Sequence, residues 1–215
     1  MQNSPFTEEY LKLWNSYFYP NTETFINKLD ITNKEELNKV DAELSFERLT
    51  ELYMNPIIGD FDKIHLCEIH KYLFQDLYDW AGKYRIIYMQ KNNSYFSGVE
   101  DIDIHLTNEL EEMNKEISSI RYISELPVFL ARAYVNLLNI HPFREGNGRT
   151  VREFLREFVL EKTKGLPFGQ YEIDWTKIDG DTIDEALPLA RTFRSPIENE
   201  FRKALIKVEN KSINI

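Results

Sequence analysis

A single cysteine, Cys67, occurs among the 215 residues. No disulfide framework can form within the chain, and a cytoplasmic location is expected. Cys67 falls in the apolar helical pattern IHLCEIHKYL, where a core thiol is expected. Glycine and proline are sparse, eight of each, and they punctuate helical patterns rather than build a linker or a low-complexity tract. No apolar run approaches the length that spans a bilayer, and the start MQNSPFTEEY lacks the basic and apolar parts of a signal peptide. Neither a membrane anchor nor an export signal is expected. Positive charge is outnumbered, with a formal net charge of −10. Affinity for nucleic acid comes mainly from basic side chains that neutralise phosphates, so direct binding of DNA or RNA is not expected. A locally basic pocket for one nucleotide is not excluded by this balance.

What is present is enough apolar residue (42%, with 13% aromatic) to exclude disorder. The length suits one domain with a full core, or at most a domain with a small appendage. EEYLKLWNSY and TNKEELNKVDAELSFERLTEL read as helices. In FDKIHLCEIHKYLFQDLYDWAG, residues Leu66, Ile69, His70, Leu73, Phe74, Leu77 and Tyr78 recur at threes and fours, which predicts one helix stopped by Gly82. YRIIYMQ, KNNS and YFSGV predict a small hairpin over about residues 84–97. Helical stripes resume at Leu106, Leu110, Met113 and Ile117. They continue in the apolar PVFLARAYVNLLNI and in RTVREFLREFVLEKTKG, and two further helices are expected in DEALPLARTF and PIENEFRKALIKVE. The expected fold class is all-α with one small β-hairpin.

Between two strongly apolar helices stands HPFREGNGRTVR, residues 141–152. Pro142 disfavours the helical conformation in the residue before it, so the preceding helix should end near His141. Gly146 and Gly148 allow positive φ, and the N–H groups of such a turn can converge into an anion-binding nest. A helix starting near Arg149 adds the positive end of its dipole. Arg149 and Arg152 share one side of its first turn, where two guanidinium groups suit a polyphosphate. Glu145 would repel phosphate unless a divalent cation lies between them, and Mg²⁺ commonly takes one carboxylate plus phosphate oxygens. His141 at the rim is placed to accept a proton from a hydroxyl nucleophile. Phe143 should point inward. The spacing is not that of a P-loop. His65, His70 and His105 have no second set of ligands in the sequence and are expected to be structural or solvated.

This stretch resembles the signature of the Fic family (filamentation induced by cAMP), H-x-F-x-[DE]-G-N-[GK]-R-x-x-R. His141, Phe143, Glu145, Gly146, Asn147, Gly148, Arg149 and Arg152 fill every specified position. YPNTETFINKLDI, IHKYLFQDLYDWAGKYR, MQKNNSYF and RSPIENEF are similar to further landmarks of bacterial members, in the same order. The resemblance implies a single Fic domain over residues 1–215, with its core at about residues 17–205 and short helical extensions at both ends. It implies a helical Fic fold with a hairpin flap, and transfer of AMP from ATP to a Tyr, Thr or Ser hydroxyl of a target protein. His141 is then the general base and Glu145 the Mg²⁺ ligand. Asn147 and the N–H groups of Gly146–Gly148 cradle phosphates, and Arg149 and Arg152 hold the outer phosphates. The flap, Lys91, Asn92, Asn93, Ser94, Tyr95 and Phe96, is expected to pair with the target's backbone. Relatives of the Doc kinase type carry lysine where this chain has Gly148, so the glycine favours nucleotide transfer.

Many members contain an inhibitory helix marked [ST]-x-x-x-E-[GN], and no stretch of this sequence matches it fully. The resemblance therefore implies a toxin restrained by a separate antitoxin-like protein whose glutamate reaches Arg152. Type II topoisomerases are targets of such toxins; the alternative that the resemblance leaves open is a host-directed effector, whose secreted relatives target host small GTPases. The competing readings are a nucleotide- or partner-binding module without catalysis and an enzyme that uses another nucleotide donor.

Overall fold

The most apolar helical pattern of the sequence becomes the central element. In a computed structural model, which describes residues 7–91 and 94–209, α5 (Leu126–Ile140) buries side chains on most sides, including Leu126, Phe129, Leu130, Ala133 and Leu137. It packs against α4 (Ile102–Ile117), α6 (Asn147–Lys162) and α8 (Ser195–Ala204). Leu106, Leu110, Met113 and Ile117 form the buried stripe of α4. Such stripes, once removed from water, are the main favourable term in folding.

The N-terminal half wraps around this centre. α1 (Glu8–Asn15) starts at Thr7, whose Oγ1 accepts the Tyr10 N–H at 3.2 Å. α2 (Lys34–Met54) starts at Asn33, whose Oδ1 accepts the Glu36 N–H at 2.9 Å. α3 (Lys63–Phe74) is capped by Asp62, which accepts the His65 N–H at 3.0 Å. Each cap satisfies a backbone donor that a helix start would otherwise leave open. α3 packs on both α2 and α6. Behind α6, His65 Nε2 meets Glu157 Oε2 at 3.1 Å, and Arg156 pairs with Glu153 at 2.5 Å, all four side chains being buried.

The helix expected to run to Gly82 stops at Phe74. Leu77 and Tyr78 are buried as the spacing required, yet both N–H groups bond back to the Phe74 carbonyl, at 3.1 and 3.0 Å, and close a turn. Arg48 takes the Asp76 carboxylate with two nitrogens (2.8 and 3.0 Å), and the Leu77 carbonyl accepts the Lys28 N–H at 2.8 Å. These tertiary partners outweigh the helical periodicity. The hairpin is shorter than its composition suggested. β1 (Gln90–Lys91) pairs antiparallel with β2 (Ser94–Tyr95) in the register Gln90 to Tyr95 and Lys91 to Ser94. Asn92 and Asn93, part of the expected flap, lie outside the described residues.

The C-terminal segment also departs from the helical expectation. α7 (Gly180–Ala186) ends before Pro188, the middle residue of a separate tight turn over Leu187–Leu189. The last expected helix ends at Ala204, and β4 (Leu205–Lys207) pairs antiparallel with β3 (Tyr171–Ile173). The fold is helical with the expected hairpin, and it carries this second two-stranded sheet besides.

Candidate active site

The 141–152 stretch links α5 to α6, and its first residue departs from ordinary backbone geometry. His141 caps α5 in the left-handed region (φ 52, ψ 60), its N–H still bonding to the Leu137 carbonyl at 3.1 Å. Pro142 removes the helical option, and this conformation swings the imidazole off the helix axis. His141 Nδ1 lies 3.2 Å from the Leu138 carbonyl oxygen, to which Nδ1–H donates. Phe96, the residue following β2, stacks on the imidazole at 3.8 Å between centroids and 8° between planes. The base of the hairpin and the histidine therefore hold one another in place.

The turn that follows is built around Gly146. Its φ is +78, and a Cβ there would lie 2.3 Å from the Phe74 ring, so both backbone conformation and packing demand glycine. Asn147 is buried and spends its whole amide on the loop: Oδ1 accepts the Phe143 N–H at 2.9 Å and Nδ2 donates to the Phe143 carbonyl at 2.8 Å. Its side chain thus shapes the turn, and only its backbone N–H is left to face a phosphate. Phe143 is fully buried and stacks on His70 at 3.8 Å. α6 begins at Asn147 rather than at Arg149, which places Gly148 inside the first helical turn, not at positive φ. Gly146 at the N-cap of α6 has no side chain to cap the helix, and the positive end of the helix dipole lies at this turn.

The charged groups surround this turn. Glu145 is exposed, and one of its oxygens accepts the Gly146 N–H at 2.9 Å. Arg149 is half-buried, packs its guanidinium 4.6 Å above the Phe74 ring, and donates through Nη1 to Asp41 and to Ser45 Oγ (2.8 Å), both on α2. Asp41 also accepts from the Tyr78 hydroxyl at 2.9 Å. Arg152 is exposed one turn along. Tyr134 on α5 lies beside it, and burial raises that hydroxyl above its ordinary range while the Arg152 guanidinium opposes the shift.

Several residues that frame the site were not tied to it by the sequence, including His70, expected only to be structural or solvated. His70 donates from Nε2 to the Glu145 carbonyl at 3.0 Å and accepts the Gly82 N–H on Nδ1 at 2.7 Å. Burial lowers its pKa to about 3, so it is neutral, and it is a strut of the turn rather than a ligand. His65 is likewise structural, and His105 bonds the Ser97 hydroxyl at 2.9 Å. Arg85, 1% exposed, donates to the carbonyls of His141 (2.7 Å), Ile87 (2.7 Å) and Ser97 (2.5 Å), tying the histidine to both ends of the hairpin. Asp41, Ser45, His70 and Arg85 are far from the signature in sequence, and although the helical period marked His70 as buried, nothing in local composition ties any of them to the turn.

Among the described residues no group of three His, Cys, Asp or Glu side chains could hold a metal ion alone. The exposed Glu145 beside a row of N–H groups fits a hard cation that takes most of its oxygens from a phosphate.

Comparison with known proteins shows what the chain is similar to. A family model described as the Fic/DOC family matches residues 60–159. The chain is 35% identical over 173 residues to the protein adenylyltransferase VbhT of Bartonella schoenbuchensis, covering 79% of this chain and 34% of that protein. It therefore spans about a third of that relative's length. It is 29% identical over 192 residues to y4lH of Sinorhizobium fredii, named a probable protein adenylyltransferase, covering 87% of this chain and 94% of that one. Among solved structures, the BepC protein of Bartonella tribocorum with bound AMPPNP has the same fold at a TM-score of 0.80 and 20% identity, over 91% of this chain and 98% of that one.

Proposed function

From the premise that the chain carries a Fic/DOC family domain, we propose that it is a protein adenylyltransferase, transferring AMP from ATP to a hydroxyl side chain of a target protein. The observation that carries this is the joint between α5 and α6. A histidine whose Nδ1 is engaged and whose ring is stacked stands at the mouth of an uncapped helix start flanked by Glu145, Arg149 and Arg152. The target hydroxyl gives its proton to His141 Nε2 as its oxygen attacks the α-phosphorus. The bond from that phosphorus to the bridging oxygen breaks, and pyrophosphate leaves. The N–H groups of Asn147 and Gly148, with Arg149 and Arg152, hold the phosphates and their developing charge, joined by the Gly146 N–H when the Glu145 carboxylate that now accepts it turns to the cation. Glu145 would hold Mg²⁺, which, when bound, offsets phosphate charge.

The hairpin from Lys91 to Phe96 is the docking edge in this reading. The target segment pairs with its backbone, and the stack of Phe96 on His141 sets the distance between that edge and the base. Gly148 supports nucleotide over phosphate transfer. Its Cβ position is open apart from the Arg152 guanidinium at 3.8 Å, so no long side chain intrudes on the first turn. Arg152 is exposed, within reach of a glutamate from outside the chain, which supports restraint by a separate antitoxin-like protein that competes with the γ-phosphate. The chain acts as a single domain with its core at about residues 17–205. A cytoplasmic location is supported by the lone Cys67, which leaves no disulfide within the chain.

Incubation with Mg²⁺ and α-phosphate-labelled ATP in a bacterial lysate tests the proposal. A labelled protein band is expected with the native chain, and His141→Ala should reduce it by about 10²–10⁴-fold. A band of equal strength with both chains would sink it.

A further inference from the structure

Arg144 lies between Phe143 and Glu145, at a signature position where any residue is accepted. It is nonetheless one of the most constrained side chains near the turn. It is 8% exposed, and its guanidinium carbon sits over four rings: Trp14 at 5.0 Å, Tyr17 at 5.4 Å, Phe18 at 5.3 Å and Phe25 at 4.8 Å. Its Nε is buried with no hydrogen-bond partner, and among the described residues no carboxylate comes within ion-pair distance. Burial draws its pKa down, while the nearby Glu145 charge opposes the shift.

Burying a cation without a carboxylate is costly, and an apolar side chain would fill an aromatic cavity at a smaller desolvation cost. A guanidinium differs in being planar and in being attracted to the face of every ring around it. Rings on several sides therefore fix its orientation as well as its depth. All four come from residues 14–25, ahead of the region that the family model matches. On the other side of Arg144, the backbone leads directly into the Glu145 carboxylate and the Gly146 turn.

We propose that Arg144 is a positioning residue: the aromatic cage of the N-terminal segment locks its guanidinium, and this holds the backbone from Phe143 to Gly146 in the shape that presents Glu145 and the α6 N–H groups. The N-terminal segment is then part of the frame of the site. The relevance to ATP rests on the function proposed above, whereas the mechanical claim does not.

The test reads amide hydrogen exchange of the full chain without nucleotide, followed by calorimetric titration with ATP and Mg²⁺. The amides to follow are those of Phe143, bonded to Asn147 Oδ1, and Gly146, bonded to Glu145. In Arg144→Met both should exchange at least about tenfold faster while α4 and α8 keep their rates, the pattern of local opening. Arg144→Lys, which keeps the cation without the plane, should fall between the two. Affinity for ATP should drop by about tenfold in Arg144→Met and recover in part in Arg144→Lys. Should Arg144→Met not fold, Trp14→Leu opens one wall of the cage from α1, a helix with no buried residue, and predicts the same local pattern. Unchanged exchange at Phe143 and Gly146, or acceleration spread evenly over the chain, overturns the proposal. Failure of the native chain to transfer AMP would count against the function and leave the exchange result standing.

Discussion

His70 makes the clearest residue-scale prediction. It is neutral in the fold, its Nε2–H is given to the Glu145 carbonyl, and its pKa is lowered to about 3. Between that value and the ordinary histidine value the unfolded chain binds a proton that the folded chain does not, so stability rises with pH through this window. It is fully present above about pH 6.5 and is lost as pH falls toward 3, by up to about 1.4 kcal/mol per pH unit. His70→Gln, which keeps a donor and an acceptor but does not titrate, should flatten the decline in melting temperature between pH 6.5 and 5. An equal decline in both chains would contradict this assignment. Asp41 gives the second prediction. It is buried, accepts from Arg149 and Tyr78, and is the partner that orients Arg149. Asp41→Ala should raise the KM for ATP by about tenfold and lower stability by about 2 kcal/mol, read by denaturant titration. At this scale the sequence was informative only where chemistry is local. The signature displays His141, Glu145, Gly146, Arg149 and Arg152 side by side, while His70 and Asp41 reach the turn through tertiary packing that no local pattern encodes.

At the scale of elements, helices with one buried stripe were readable because a 3.6-residue period needs no partner to be recognised. α4, α5 and α6 follow their patterns closely. Segments stabilised by distant partners were not readable. Residues 84–89 look like a strand, yet the Arg85 N–H bonds to the Pro142 carbonyl at 2.8 Å, and its guanidinium takes the carbonyls of Ile87, Ser97 and His141. One side chain thus replaces a strand ladder. β4 escaped notice for the same reason: Leu205–Lys207 continue an amphipathic helix in pattern but pair with β3. The buried guanidinium supplies a prediction. Arg85→Met should leave several carbonyls without donors and destabilise the protein by about 3–5 kcal/mol, measured by urea unfolding. A loss below about 1 kcal/mol would show that water or a rearranged hairpin takes over those carbonyls.

For the molecule as a whole, the helical core presents a short joint on which every group of the proposed reaction converges. The hairpin leans on it from one side through Phe96, α2 from another through Asp41, and the N-terminal segment from a third through Arg144. The chain's formal net charge of −10 does not favour a nucleic acid strand as the ligand of this joint. The central claim is that the joint transfers the nucleotidyl group and not the terminal phosphate. The most direct measurement incubates the native chain and His141→Ala with Mg²⁺ and a bacterial lysate, using ATP labelled at the α-phosphate in one set and at the γ-phosphate in the other. The account predicts a protein band that carries the α label, lacks the γ label and disappears with His141→Ala. A band that carries the γ label without the α label would contradict it and make the protein a kinase.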